Sequence, residues 1–200
     1  MILWHFIWDK KWSQRNHTHA AIWVIIAEAM LGFGDKAVEF FRMINPIEHS
    51  KTKDSVMKYK VEPYIIPADV YGQGNLAGRG GWTWYTGSSS WMYVAGIKYI
   101  LGLNIENGYL WMNPVISSSW KEFSIKYKCG KSVYNIRVLN RSGKNYGVEK
   151  VILNSVEVSD KKIKLNYDGG INEVEIIMWH ISDTWGLGNF VSLWEMIFGD

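Results

Sequence analysis

The chain has 200 residues, 48% of them hydrophobic, and a formal net charge of +3, which suits one large domain or two small ones around a real core. Its Lys and Arg are dispersed, which argues against a nucleic-acid-binding face. The single cysteine, Cys129, excludes an internal disulfide and a multi-cysteine zinc site and makes a cytoplasmic setting the default expectation.

Met1–Trp8 is apolar but lacks a basic leader, and Asp9, Lys10 and Lys11 follow at once, so it is not read as a signal peptide. No apolar run reaches membrane-spanning length. Ala20–Gly32 predicts a helix, with Ile22, Trp23, Ile26 and Met30 at helical spacing. Asp35 is expected to cap a second helix, Lys36–Ile44, which Asn45-Pro46 stops. The short connection makes the pair an antiparallel hairpin. Lys51–Val61 is polar and reads as a loop or an exposed helical turn. Ala68–Tyr71 reads as a short helix, and Gly72–Gly81 as a glycine-rich loop. A third clear helix is expected from Ser88 to Leu101, ended by Gly102.

After Gly102 the period changes from helical to alternating. Tyr109–Met112, Glu122–Lys128, Ser132–Leu139, Val148–Leu153, Lys161–Tyr167 and Glu173–Met178 are expected strands, separated by turns such as Cys129-Gly130-Lys131 and Asp168-Gly169-Gly170. Helices first and strands second give an α+β chain with two lobes, the second an antiparallel β lobe. In the tail, Trp185, Phe190, Trp194 and Phe198 are spaced to line an apolar helix.

The composition is unusual in its 12 Trp and 11 Tyr. Flat rings serve an aromatic core, or they stack on the apolar faces of sugars. The densest stretch is Gly80-Gly81-Trp82-Thr83-Trp84-Tyr85-Thr86-Gly87-Ser88-Ser89-Ser90-Trp91, which runs from glycines through aromatics into a helix start and reads as an aromatic-lined anion site. Thr86 and Ser88 are N-cap types. Gly87 allows close backbone approach, and the opening N–H groups of a helix attract anions. Phosphate is the obvious guest, and a plain capped helix is the other reading. His19 begins the first helix, either as a cap or as a phosphate ligand. Glu62 and Asp69 flank a proline-rich segment and suit an acid/base pair or acceptors for sugar hydroxyls. The five histidines are too scattered for a zinc triad, and no metal or organic cofactor is expected.

Several stretches then occur in register: Thr18-His19-Ala20-Ala21-Ile22-Trp23, Ile44-Asn45-Pro46-Ile47, Tyr59-Lys60-Val61-Glu62-Pro63-Tyr64, Ala68-Asp69-Val70-Tyr71 and Arg79-Gly80-Gly81-Trp82-Thr83-Trp84-Tyr85-Thr86-Gly87-Ser88. Together they resemble the C-terminal part of glycoside hydrolase family 94. That family includes cellobiose, chitobiose and β-1,2-oligoglucan phosphorylases and the phosphorylase-like domain of cyclic β-1,2-glucan synthase. The resemblance covers roughly Thr18–Met178. It implies the last helices of an (α/α)6 catalytic barrel over residues 18–103 and a C-terminal β lobe over 104–178. Residues 1–17 and 179–200 are unmatched by it.

The resemblance implies inverting phosphorolysis of β-linked glucosides to α-glucose 1-phosphate, with inorganic phosphate as co-substrate. It makes His19, Thr86 and Gly87 phosphate ligands and leaves Glu62, Asp69 and Trp82 as sugar-binding candidates. The family's general acid is an Asp in a Trp-Asn-Asp-like motif that belongs upstream of Thr18, and Met1–His17 does not supply it. The acceptor-binding Glu of relatives falls at Trp12. The expectation is therefore a truncated phosphorylase chain, inactive alone, that self-associates or pairs with a complementary N-terminal fragment. Two other readings remain open: a non-catalytic carbohydrate- or phosphate-binding module, and an α/α-toroid hydrolase acting through Glu62 or Asp69.

Overall fold

A computed structural model describes residues 15–84 and 87–178. The first helical-period run folds as α1, Thr18–Met30, with Ile22, Ile25, Ile26 and Ala29 buried along one face. Full burial of an aliphatic side chain of this size stabilises by about 1.5–3 kcal/mol, so this face is what holds the helix. Its N-terminus has no side-chain cap; instead Thr18 N–H donates to the Ala68 carbonyl at 2.9 Å. Helix α2, Gly34–Ile44, packs back on α1 and buries Ala37, Val38 and Phe40. It ends at Asn45, whose extended backbone is what the following proline requires.

Asp35 does not cap α2, contrary to expectation. It sits in the first turn and faces the strand lobe, accepting bonds from Ser117 Oγ at 2.7 Å and Ser118 N–H at 2.9 Å. Burial raises its carboxyl pKa, but the hydrogen bonds from Asn145, Ser117 and Ser118 outweigh that and hold it below the usual 3.8. Beside it the lobes touch backbone to backbone: a Cβ on Gly34 would overlap the Ile116 carbonyl.

The polar segment after α2 contains a true helix, α3, Lys53–Tyr59, closed by a Thr52–Ser55 capping box. Its last residue, Tyr59, is buried against His49, rings stacked at 4.6 Å, and burial pushes its phenol up to about 12. The third clear helix begins as α4, Ser88–Val94, and continues as a π-helical stretch, Ala95–Ile100.

The segment read as a short helix at Ala68–Tyr71 is instead a strand. Three short strands, β1 (Arg15–His17), β2 (Asp69–Tyr71) and β3 (Gly80–Gly81), form a sheet with β2 in the middle. Val70 and Tyr71 favour extended backbone, and two partner strands decide the matter.

The second lobe starts with β4, Leu103–Glu106, and β5, Tyr109–Met112. Strands β6 (Glu122–Cys129), β7 (Ser132–Leu139), β8 (Val148–Leu153), β9 (Val156–Glu157), β10 (Ile163–Lys164) and β11 (Ile171–Met178) follow. They form two sheets, β10-β5-β4 and β6-β7-β11-β8-β9. The expected strand Lys161–Tyr167 shrinks to Ile163–Lys164, and β4 was not foreseen. The lobe is also not wholly antiparallel, because β11 pairs parallel with β7. Both strands carry buried rows, Tyr134, Ile136 and Val138 in one and Val174, Ile176 and Met178 in the other. Two such strands both belong at the sheet centre, so β11 inserts between β7 and β8.

The apolar tail residues Trp185 to Phe198 lie outside the described residues. Among the described residues no helix is long and apolar enough to cross a membrane.

Candidate functional site

The three-stranded sheet brings two helix starts together. Strand β1 runs directly into α1, which places His19 in the first helical turn. The register of β2 with both neighbours puts His17, Asp69 and Gly81 in one row. One residue earlier on β2, Ala68 bonds both neighbours: it accepts from Thr18 N–H and donates to the Trp82 carbonyl, each at 2.9 Å. The first turn of α1 and the connection from β3 to α4 are thus held on either side of one strand.

Asp69 is buried in this row. Gly81 opposite it is chosen for space: a Cβ there would overlap Asp69 Oδ1 and press on the Tyr71 ring at 3.2 Å. The connection then passes Trp82 and Trp84, both about two-thirds exposed and both at positive φ, +48° and +72°. Non-glycine residues in this region carry strain of about 1–3 kcal/mol, and such strain concentrates at functional sites.

Gly87 is the N-cap of α4, with φ −74° and ψ −4°, and among the described residues no side chain caps the helix. Ser88, an expected cap type, is buried within the first turn, while Ser90 Oγ donates back to the Gly87 carbonyl at 2.8 Å. The opening N–H groups of α4 have no intrahelical acceptor, and the helix start carries partial positive charge.

His19 and Gly87 meet although they are distant in sequence. A Cβ placed on Gly87 would lie 3.8 Å from His19 Cε1, with no other described atom within 4 Å beyond its chain neighbours. The half-buried imidazole is flanked by two indoles. Trp23, one turn along α1, meets it at 5.5 Å and 77°; Trp91, one turn along α4, meets it at 5.9 Å and 50°. The indoles contact each other at 6.4 Å.

Of the residues singled out from sequence, His19 and Gly87 therefore face each other, Asp69 lies buried in the supporting row, and Trp82 stands exposed at the rim. Glu62 is exposed in the loop before Pro63. Thr86 lies outside the described residues. Trp91 closes the aromatic-lined stretch read from sequence, but the flanking role of Trp23 was missed; its sequence trace is that it follows His19 by four residues, one helical turn.

An imidazole N–H and the N–H groups of a helix start can together hold a tetrahedral anion, and exposed rings beside them can stack on a sugar. Residues 10–102 match the sequence model of the "Glycosyl hydrolase 94 superfamily, catalytic domain". The chain is 43% identical over 123 residues to cyclic beta-(1,2)-glucan synthase NdvB of Rhizobium meliloti (strain 1021), an alignment covering 62% of this chain and 4% of that protein. It is 31% identical over 162 residues to N,N'-diacetylchitobiose phosphorylase of Vibrio furnissii, covering 80% of this chain and 20% of the relative. It is 25% identical over 179 residues to solabiose phosphorylase of Paenibacillus borealis, covering 86% and 22%. The chain thus spans between 4% and 22% of the length of these relatives.

Proposed function

We propose that this chain, a relative of the glycosyl hydrolase 94 superfamily through residues 10–102, carries the phosphate-holding portion of an inverting β-glucoside phosphorylase site. The single observation that supports the reading is the approach of His19 to Gly87 at the start of α4. His19 and the backbone around Thr86 and Gly87 grip inorganic phosphate. A phosphate oxygen attacks C1 of the β-linked glucosyl unit while a carboxylic acid protonates the leaving oxygen, giving α-glucose 1-phosphate. Phosphate takes the place of the water that an inverting hydrolase activates, so an anion site stands where a general base would.

In this reading the proton donor comes from outside residues 18–178. On the same reading, helices α1, α2 and α4 would be part of an (α/α)6 barrel. The exposure of Met30 and Met43, each at 40% or more, is consistent with neighbouring helices from a complementary chain segment or a second copy. The sugar side is a β-glucan oligosaccharide, with Trp82 at its rim and Asp69 and Glu62 as hydroxyl acceptors. The single cysteine supports a reducing, cytoplasmic setting as part of this reading.

Calorimetry of the full chain with inorganic phosphate and with sophorose, separately and together, tests the proposal. Phosphate is expected to bind saturably on its own, with no sugar 1-phosphate released from β-1,2-gluco-oligosaccharides. A flat phosphate titration contradicts the reading. Release of reducing sugar without phosphate would favour the hydrolase alternative.

A further inference from the structure

The pairing of His19 with Gly87 leaves open what aims the imidazole. A histidine in the first turn of a helix is free to swing. Three staggered χ1 wells, one of them rare in helices, and a roughly two-fold χ2 give about four to six orientations. Only some of these turn the ring toward Gly87.

Two side chains restrict that freedom, one from each helix that meets at the site. Trp23 lies one turn below His19 on α1 and presents its ring at 77° to the imidazole. Trp91 lies one turn below Gly87 on α4 and closes from the other side at 50°. The indoles also brace each other at 75°. All three centroid separations, 5.5, 5.9 and 6.4 Å, fall within the range for favourable edge-on and tilted ring pairs. Neither indole is a core residue: Trp23 is 59% exposed and Trp91 40%. Stability alone gives little reason to keep two large rings at such positions.

We infer that Trp23 and Trp91 are positioning residues that hold the His19 imidazole against the Gly87 turn and so set the affinity of the anion site. This rests on the phosphate reading above and adds to it the source of its preorganisation. The ring contacts exist with and without the anion, so their own energy cancels from binding. What remains is the orientational freedom already lost before the anion arrives. Releasing the ring into four to six orientations therefore weakens phosphate binding by about four- to sixfold.

The test uses the full chain and inorganic phosphate. Trp23→Leu/Trp91→Leu keeps apolar bulk and removes both rings; Trp23→Phe/Trp91→Phe keeps rings. Two readouts are taken: phosphate affinity by calorimetry, and the NMR contact between His19 Hε1 and the Gly87 Hα protons without phosphate. The Leu pair is expected to bind about four- to sixfold more weakly and to lose the contact, and the Phe pair to stay within about twofold and keep it. If the contact persists in the Leu pair, or its affinity is unchanged, the positioning role is overturned. His19→Ala separates the two ideas. If it leaves phosphate binding intact, the phosphate reading and the affinity role fail together, while the proton contact still reports whether the indoles aim the ring.

Discussion

Replacing Gly87 by Ala separates two reasons for a glycine at this turn. Its φ of −74° and ψ of −4° are open to any residue, and beyond its chain neighbours the added methyl would meet, among the described residues, only His19 Cε1, at 3.8 Å, an ordinary contact distance. The remaining structural cost is that of Ala at an N-cap, less than about 1 kcal/mol. The methyl does fill the gap between imidazole and turn, where a phosphate oxygen would accept from both. Losing one charge-assisted hydrogen bond there costs about 1.5–3 kcal/mol, or about ten- to a hundredfold in affinity. Urea denaturation followed by circular dichroism reads the first quantity and phosphate calorimetry the second. Gly87→Ala should barely move the urea midpoint and should weaken phosphate binding at least about tenfold. Unchanged affinity with unchanged stability would refute the placement of the anion. A large loss of stability would refute the steric reading of the turn.

Gly34→Ala drives a methyl into the Ile116 carbonyl, backbone that cannot rotate away; it should destabilise by about 1–3 kcal/mol, and a stabilised variant in urea denaturation would contradict the backbone contact between lobes. Gly81→Ala pushes on the buried Asp69 carboxylate and on Tyr71, with an expected loss of similar size, about 1–3 kcal/mol, in the same assay; Gly87→Ala, at an ordinary φ and with its Cβ 3.8 Å from His19 Cε1, is the control. Asp35 titrates below its usual 3.8 because bonds from Asn145, Ser117 and Ser118 outweigh desolvation. A depressed folded value means that its contribution is complete above the unfolded value and lost as pH falls through the folded one. The urea midpoint should therefore fall more steeply on acidification in the wild type than in Asp35→Asn, and equal slopes would show that the tether contributes nothing.

Helices α1 and α2 were legible because a buried stripe repeats every 3.6 residues, and β6 and β7 because inward and outward residues alternate. The misread elements are those too short to carry a period. Strands β1 and β3 exist through their pairing with β2, which the local sequence of Gly80–Gly81 does not reveal. The parallel pairing of β7 with β11 was illegible for another reason: alternation reports which face is buried, not strand direction. Asp35 has the residue type and position of a helix cap, but its partners, Ser117 and Ser118, lie in the other lobe. At the site, Gly87 and His19 were readable from residue type at helix starts and from the family words around them. The indole clasp was not, because two separate i,i+4 spacings become one cluster only when α1 and α4 lie side by side.

The most direct test of the central claim is a two-dimensional NMR titration of the full chain with inorganic phosphate. The His19 Hε1 resonance and the Gly87 backbone amide should shift together along one saturating curve. Shifts confined to surface lysines, or none at these two residues, would contradict the account.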